Sequence, residues 1–160
     1  MIRATAFAAA LVGVASPALS LSCMRPDVAS SYSRAADAEE SYLVVHGTLK
    51  FNESKLPKSS GNDSPPSKKI KAHITGNALS KSGFDYPFDR DITLEVLCYG
   101  PWCGGAASGI PYLAFIRKDG AGYTFEADPC GSLGFAKPTP KMLAQAEQCM
   151  NGGACEPGTR

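Results

Sequence analysis

The stretch ITLEVLCYGPWCGG, residues 92–105, joins a strand pattern to a tight turn between two cysteines. Apolar residues occupy every second position over its first half, which is typical of a strand with one buried face. Gly100 and Pro101 favour a tight reversal directly after that strand. The stretch therefore predicts a strand whose end turns back on itself, and it raises the question of what Cys98 and Cys103 do there.

Thiol–disulfide active sites commonly pair two cysteines as Cys-x-x-Cys at the start of a helix, where the thiol pKa is lowered. In this chain four residues separate Cys98 from Cys103. The glycines at 104 and 105 and the nearby Pro111 disfavour a helix after Cys103. The residues favour a structural disulfide that closes the turn. The alternatives are redox catalysis by these two cysteines and pairing of either with another cysteine.

The N-terminal residues 1–20 have the features of a secretory signal peptide. Arg3 provides a positive charge, residues 6–15 are apolar, and small residues precede a cleavage position after Ser20. An apolar run of about ten residues is too short to span a bilayer. We therefore expect a secreted or periplasmic protein, and the alternative is an uncleaved N-terminal membrane anchor.

The charge balance argues against polyanionic partners. The chain has 16 lysines and arginines and 15 aspartates and glutamates, and removal of residues 1–20 removes only Arg3. The mature chain is then formally neutral, whereas nucleic acid and anionic membranes favour partners with a basic excess. A local basic patch remains compatible with this balance. The remaining length suits one domain with one modest core.

All six cysteines follow the expected cleavage position: Cys23, Cys98, Cys103, Cys130, Cys149 and Cys155. An even number of cysteines in an exported chain predicts three disulfides, although six cysteines can pair in fifteen ways and the sequence alone does not choose among them. Cys149 and Cys155 flank a Gly-Gly turn, which favours a local bridge. Half of a zinc site is the alternative there, but no second pair of ligands lies nearby in sequence.

Hydrophobic periodicity predicts a mainly β chain with one helix near each end. The predicted elements are a helix capped by Asp27 and ending near Ala38, strands over 41–51, 68–75, 92–98, 112–118 and 123–127, and a terminal helix that begins at Pro140 after the N-cap Thr139. Gly47 indicates a bulge or a close backbone approach in the first strand. Residues 52–67 are expected to form an exposed loop, 76–83 a connector, and 84–90 a turn-rich segment.

Polar residues suggest few catalytic or metal-binding arrangements. The two histidines, His46 and His73, each lie in a predicted strand and have no partner at metal-ligand spacing. The lysines within 68–71 are expected to form a solvated strand edge. Three aspartates cluster in the turn-rich segment or just after it: Asp85, Asp89 and Asp91. A polar turn accounts for these aspartates, and a weak calcium site or acid–base pair is the alternative.

Several features together resemble the netrin-like (NTR) module, the OB-fold domain shared with tissue inhibitors of metalloproteinases. The resemblance is to small exported bacterial proteins of this plan, and it runs from Cys23 to about Cys130. It rests on an early cysteine followed by a short helix, on the strands SYLVVHG, ITLEVLC and YLAFI, and on a closing strand that ends in Pro-Cys.

The resemblance implies a disulfide-stapled five-stranded OB-like Greek-key barrel over residues 21–135. The short N-terminal helix belongs to this domain, and residues 136–160 form a C-terminal helix and tail on or beside the barrel. The implied disulfides are Cys23–Cys130, Cys98–Cys103 and Cys149–Cys155. Trp102 is then expected to be a partly exposed cap at one end of the barrel.

These inferences favour a non-catalytic binding module that acts as a monomer on a protein or small ligand and uses no cofactor. Cys23, Tyr99 and Trp102 are the candidate interaction residues.

A metalloprotease inhibitor is one alternative, because the family's inhibitors chelate zinc through an N-terminal cysteine. Cys23 would then have to follow cleavage after Ser22, and the Cys-x-Cys start of those inhibitors is absent here. Contact with a membrane is expected only if Cys23 is lipidated at a lipobox, which this sequence matches weakly because Ser20 replaces leucine.

Overall fold

A computed structural model describes residues 21–58, 64–120 and 122–157 of the chain. The predicted signal peptide at residues 1–20 lies outside the described residues, as does the middle of the loop predicted over 52–67. Within the described part, no helix has both the length and the hydropathy needed to cross a membrane.

The described residues form two helices and seven strands, together with a short 3-10 turn at Glu53–Lys55. The elements are α1 (Val28–Ala36), β1 (Tyr42–Phe51), β2 (Ser67–Ser80), β3 (Gly83–Tyr99), β4 (Trp102–Cys103), β5 (Ile110–Asp119), β6 (Gly122–Ala127), β7 (Gly134–Ala136) and α2 (Pro140–Met150). The prediction of a mainly β chain with a helix near each end is confirmed. Five strands were expected, and β4 and β7 are additional because two or three residues are too few to show periodicity.

The strands belong to one mostly antiparallel sheet in the order β1-β2-β3-β6-β5-β7, with β4 paired to β3. β1 pairs with both β2 and β5, and both pairings are antiparallel. β3 pairs with β6 in parallel, and β6 pairs with β5 through a short hairpin. β1 is therefore hydrogen-bonded along both of its edges, but the seven strands form a sheet and not the closed five-stranded barrel that the resemblance implies.

The alternating sequence pattern predicts correctly which side chains form the core. On β3, Leu94 and Val96 are fully buried, and on β2, Ile74 is fully buried while its neighbours His73 and Thr75 remain accessible. These apolar side chains pack together on one face of the sheet. Burial of apolar area at about 25 cal/mol per Å² supplies the main stabilisation of such a layer. On β2 and β3 the alternate positions, such as His73 and Glu95, carry polar side chains.

The connector predicted over 76–83 and the turn-rich segment predicted over 84–90 are wrong. β2 and β3 instead form one long hairpin, paired from Ser67 opposite Leu97 to Ser80 opposite Gly83. Pro87 lies within β3 at a point where β3 is paired on one side only, and an edge is where a strand accepts proline. The turn itself is confined to the residues between the two strands.

Gly47 and Gly76 lie directly opposite each other in the β1–β2 pair. A methyl group added to Gly76 would overlap the carbonyl oxygen of His46, and one added to Gly47 would lie 2.8 Å from the carbonyl oxygen of Thr75. Of the two possibilities predicted for Gly47, a close backbone approach is therefore confirmed. The register shift between β2 and β3 lies elsewhere, at Ala78 and Leu79.

Both helices begin where the sequence predicts. The Asp27 side chain accepts a hydrogen bond from Ser30 N at 3.0 Å, and Thr139 caps α2 through Met142 N at 3.3 Å. α1 ends at Ala36, two residues before the predicted end. The helices contact each other and cover the sheet through a second apolar cluster: Val28, Val44, Leu79, Leu113, Phe115, Leu133, Phe135 and Ala146.

Three disulfides join the same pairs that the netrin-like resemblance implies: Cys23–Cys130, Cys98–Cys103 and Cys149–Cys155. Beside the first bridge, the buried Asp128 carboxylate accepts hydrogen bonds from Cys130 N at 2.7 Å and Ser132 N at 3.0 Å. Ser31 Oγ of α1 donates to the Ser132 carbonyl at 2.5 Å. The turn after β6 is thereby connected to both the N-terminal segment and α1.

Candidate functional site

Cys98 and Cys103 form a disulfide at the end of β3. The two residues lie directly opposite each other in the β3–β4 pair and are joined by a disulfide. Gly100 has a φ of +61° at the first central position of the turn, as a type II′ hairpin turn requires. The residues from Gly104 to β5 form a loop. Because no helix follows Cys103, the helix-terminus effect that lowers the thiol pKa in redox sites is missing.

A shallow groove of about 300 Å³ lies beside this hairpin, and we call it the Trp102 groove. Its lining residues are Leu21, Pro57, Pro101, Trp102, Cys103, Gly104 and Pro129. Of the three predicted interaction residues, half-buried Trp102 thus lies close to the segment that leads into Cys23. Tyr99 is 45% exposed and does not line this groove, and burial of part of its ring raises the pKa of its hydroxyl.

A cluster of polar side chains on the sheet is centred on His73 of β2. Its Nδ1 lies 2.8 Å from Asp91 Oδ1, and its Nε2 lies 2.6 Å from Asp89 Oδ1. Thr75 Oγ1 also donates to Asp89 at 3.3 Å. The hydrogen bond to Asp91, followed by the one to Asp89, raises the pKa of the His73 imidazole. The imidazole is thus held between two carboxylates on an accessible surface.

His73 lines a second, larger groove, which we call the basic groove and whose volume is about 530 Å³. Its lining residues are Lys50, Lys71, Ala72, His73, Asp91, Ile92, Thr93, Gly122 and Tyr123. The groove lies on β2 and β3, between the end of β1 and the start of β6. Four strands of a hydrogen-bonded sheet therefore position its side chains.

Charged groups elsewhere on the polar face are neutralised by neighbours. Arg117 Nε lies 2.7 Å from Asp119, and the other guanidinium nitrogens lie 3.7 Å from Glu95 and 3.5 Å from Glu126. Lys69 Nζ lies 3.8 Å from Glu95. The Arg117 guanidinium lowers the pKa of Asp119, whereas burial raises the pKa of Glu126. This ion-pair network occupies the part of the face next to the basic groove.

The predicted cluster of aspartates is divided in two. Asp85 accepts hydrogen bonds at the β2–β3 turn from Ser80 Oγ at 2.6 Å and from Ser82 Oγ, and the bond from Ser80 is the main reason why its pKa is lowered. Asp89 and Asp91 instead bond to His73, so the three carboxylates do not converge on one calcium site. Among the described residues, no group of three or more His, Cys, Asp or Glu side chains is arranged to hold a metal ion.

Sequence reasoning missed the contact of His73 with Asp89 and Asp91. The signal was present in the register, since His73 lies opposite Asp91 and Thr75 lies opposite Asp89. A hairpin centred on the turn after Ser80 places these residues on one face. The interpretation of residues 76–83 as a connector separated the two strands and therefore hid the pairing.

Comparisons with protein-family models, with curated proteins and with solved structures found no match to this chain. The resemblance to the netrin-like module therefore stays a prediction from the residues, and the function has to be argued from the geometry of the two grooves.

Proposed function

We propose that this protein is an exported, disulfide-stabilised binding module without catalytic activity that holds its ligand in the basic groove. Export to a secreted or periplasmic location is supported by the signal-peptide pattern of residues 1–20. It is also supported by the three disulfides, which are typical of oxidising compartments. No cofactor is needed for this function, and we expect the module to act as a monomer.

An OB-like Greek-key arrangement of the five long strands is part of the proposal. It is supported by the pairing of β1 with both β2 and β5 and by the parallel pairing of β3 with β6. OB-fold proteins bind ligands on the face of their second and third strands, between two flanking loops. The basic groove lies on β2 and β3 and is the observation that carries the proposal, because rigid strands present polar side chains around an open space.

The proposal is tested by following the backbone amides of isotope-labelled protein by NMR during addition of a neutral hexasaccharide, a sulfated disaccharide and a mixture of tripeptides. We expect at least one probe to shift amides within residues 71–73 and 91–93. Thr93→Tyr should fill the groove and abolish the shifts. Thr48→Tyr, a matched substitution on β1 at a residue that does not line the groove, should leave the amide shifts unchanged.

Two results would contradict this proposal. Shifts confined to the residues of the Trp102 groove would place the binding surface at the other site. An unchanged spectrum with all three probes would remove the evidence for a ligand-binding groove altogether.

Metalloprotease inhibition is the second candidate function, and the position of Cys23 is the observation that favours it. The Cys23–Cys130 bridge places this exposed residue near the Trp102 groove, where a protein surface has access to both. Zinc chelation by the amine and carbonyl of Cys23 requires that the mature chain begin there. Protein beginning at Cys23 should then inhibit a metalloprotease, whereas protein beginning at Ser22 should not. Equal activity of the protease with both forms would exclude the mechanism.

A further inference from the structure

The protonation state of His73 follows from its two hydrogen bonds. A neutral imidazole has one donor nitrogen and one acceptor nitrogen, whereas an imidazolium donates from both. Both ring nitrogens of His73 face carboxylate oxygens, which only accept. The observed arrangement therefore favours the imidazolium over the neutral ring. This conclusion rests on the positions of the atoms and agrees with the direction in which Asp91 and Asp89 shift the pKa of His73.

Two further cations lie beside His73. Lys50 is directly opposite His73 in the β1–β2 pair, and Lys71 lies two residues before His73 on the same face of β2. Both lysines are exposed, and neither forms an ion pair with any residue that the structure describes. They differ in this from Lys69 and Arg117, whose charges are compensated by carboxylates.

The charged groups around His73 leave one positive charge in excess. Like charges directly opposite each other on neighbouring strands are destabilising, and side chains at such positions have Cβ atoms about 4.5–5.5 Å apart. The titratable or charged groups around His73 are Lys71 on its own strand, Lys50 on β1, Asp89 and Asp91 on β3, and Tyr123 on β6. Three cations thus face two carboxylates, and both carboxylates are already bonded to His73.

We propose that the basic groove is a binding site for an oxyanion, a sulfate or phosphate group of the ligand, held by Lys50 and Lys71 beside Thr93, with protonated His73 strengthening the binding. This inference rests on the proposed binding function and adds the chemical class of the ligand. The half-buried Thr93 lies opposite Lys71 in the β2–β3 pair and lines the groove together with both lysines, so its hydroxyl adds a hydrogen-bond donor to the site.

The affinity should depend on pH because His73 loses a proton as the pH rises. The neutral imidazole donates to one carboxylate only, so one hydrogen bond is lost and one carboxylate is freed. The net charge of Lys50, Lys71, His73, Asp89 and Asp91 then falls from +1 to zero. This change weakens the binding of an anion, and salt screens the remaining attraction.

The experiment uses inorganic sulfate as the probe, because sulfate keeps its two charges over the whole pH range in which histidine titrates. Sulfate is added to isotope-labelled protein at constant ionic strength, at about pH 5.5 and about pH 8.5, on either side of the ordinary histidine pKa. We expect amide shifts around Lys50, Lys71 and Thr93 at the lower pH. The affinity should be several-fold weaker at the higher pH.

Lysine variants test the site itself. An exposed ion pair contributes about 0.2–1 kcal/mol, so Lys50→Ala and Lys71→Ala should each weaken sulfate binding by up to about fivefold. Lys141→Ala replaces an exposed lysine of α2 that does not line the groove; it is the matched control and should bind sulfate as the parent protein does. His73→Gln should bind equally at both pH values, with the weaker affinity of the parent protein at high pH.

Separate results overturn the inference and the function on which it rests. Identical sulfate affinity in Lys71→Ala and Lys141→Ala, or pH dependence that persists in His73→Gln, overturns the anion site. If a neutral hexasaccharide still shifts the amides of the groove, the binding function stands without the anion. If the anion site is upheld, a sulfated disaccharide and a sugar phosphate are compared at the lower pH to establish which source of the oxyanion binds more tightly.

Discussion

The three disulfides should differ in their contribution to stability, and the difference follows from where they lie in the chain. They close separations of 107 residues for Cys23–Cys130, 5 residues for Cys98–Cys103 and 6 residues for Cys149–Cys155. In the chain-entropy model, a disulfide stabilises by restricting the unfolded chain, and the effect grows with the logarithm of the loop length. The model gives about 4.8 kcal/mol for the first bridge and about 2 kcal/mol for each local bridge.

We expect the paired alanine variants to reproduce this order in urea denaturation. Replacement of Cys23 and Cys130 should lower the free energy of unfolding by about 2–3 kcal/mol more than replacement of either local pair. The two local pairs serve as controls for each other, because Cys98 and Cys149 are buried to a similar extent, at 6% and 7% exposure. The slope of the unfolding free energy against urea concentration must be compared between each variant and the parent protein, since a disulfide also affects the compactness of the unfolded chain.

Equal losses for all three variants would refute the entropic reasoning. A loss on removal of Cys98–Cys103 that exceeds the loss on removal of Cys23–Cys130 would show that the hairpin contributes mainly through the native state. In either case the chain-entropy account of the three disulfides would have to be replaced.

Two further predictions concern single residues of the sheet. Hydrogen bonds raise the folded-state pKa of His73 above its ordinary value of 6.5. The stabilisation of the folded protein by protonated His73 should therefore be full below about pH 6.5 and should be lost as the pH rises through the raised pKa. In urea denaturation, the free energies of unfolding of His73→Gln and of the parent protein should differ near pH 5.5 and converge near pH 9. Gly76→Ala should lower stability by about 2–4 kcal/mol because its methyl group overlaps β1, whereas Gly105→Ala, which has open space, should stay within about 0.5 kcal/mol of the parent in the same assay.

The core and the long strands were predictable because burial imposes a period of two on the sequence. Ile92, Leu94 and Val96 alternate with accessible residues, and each is buried. The starts of both helices were predictable because capping is local. The side chains of Asp27 and Thr139 accept hydrogen bonds from backbone N–H groups only three residues later. The β2–β3 hairpin was missed beyond residue 75, because polar residues and proline there weaken the pattern that burial creates elsewhere.

The candidate site was largely hidden from the sequence because it is built by register. His73 and Asp91 are separated along the chain and meet only through the pairing of β2 with β3. Lys50 joins them from β1, whose register with β2 depends on the close approach of Gly47 and Gly76. The charged side chains around His73 gave no comparable local signal, because their partners lie on other strands.

The pairing of β1 on both sides has a consequence for the order in which the chain can fold. β2 and β3 follow each other directly and can form a hairpin as soon as they are available. β1 gains its second partner only when β5, which begins at Ile110, has been completed. Until then one edge of YLVVHGTLKF presents unpaired backbone groups beside apolar side chains, the condition under which strands of different molecules associate. Pairing with β5 therefore covers an edge of β1 that would otherwise be open to association between molecules.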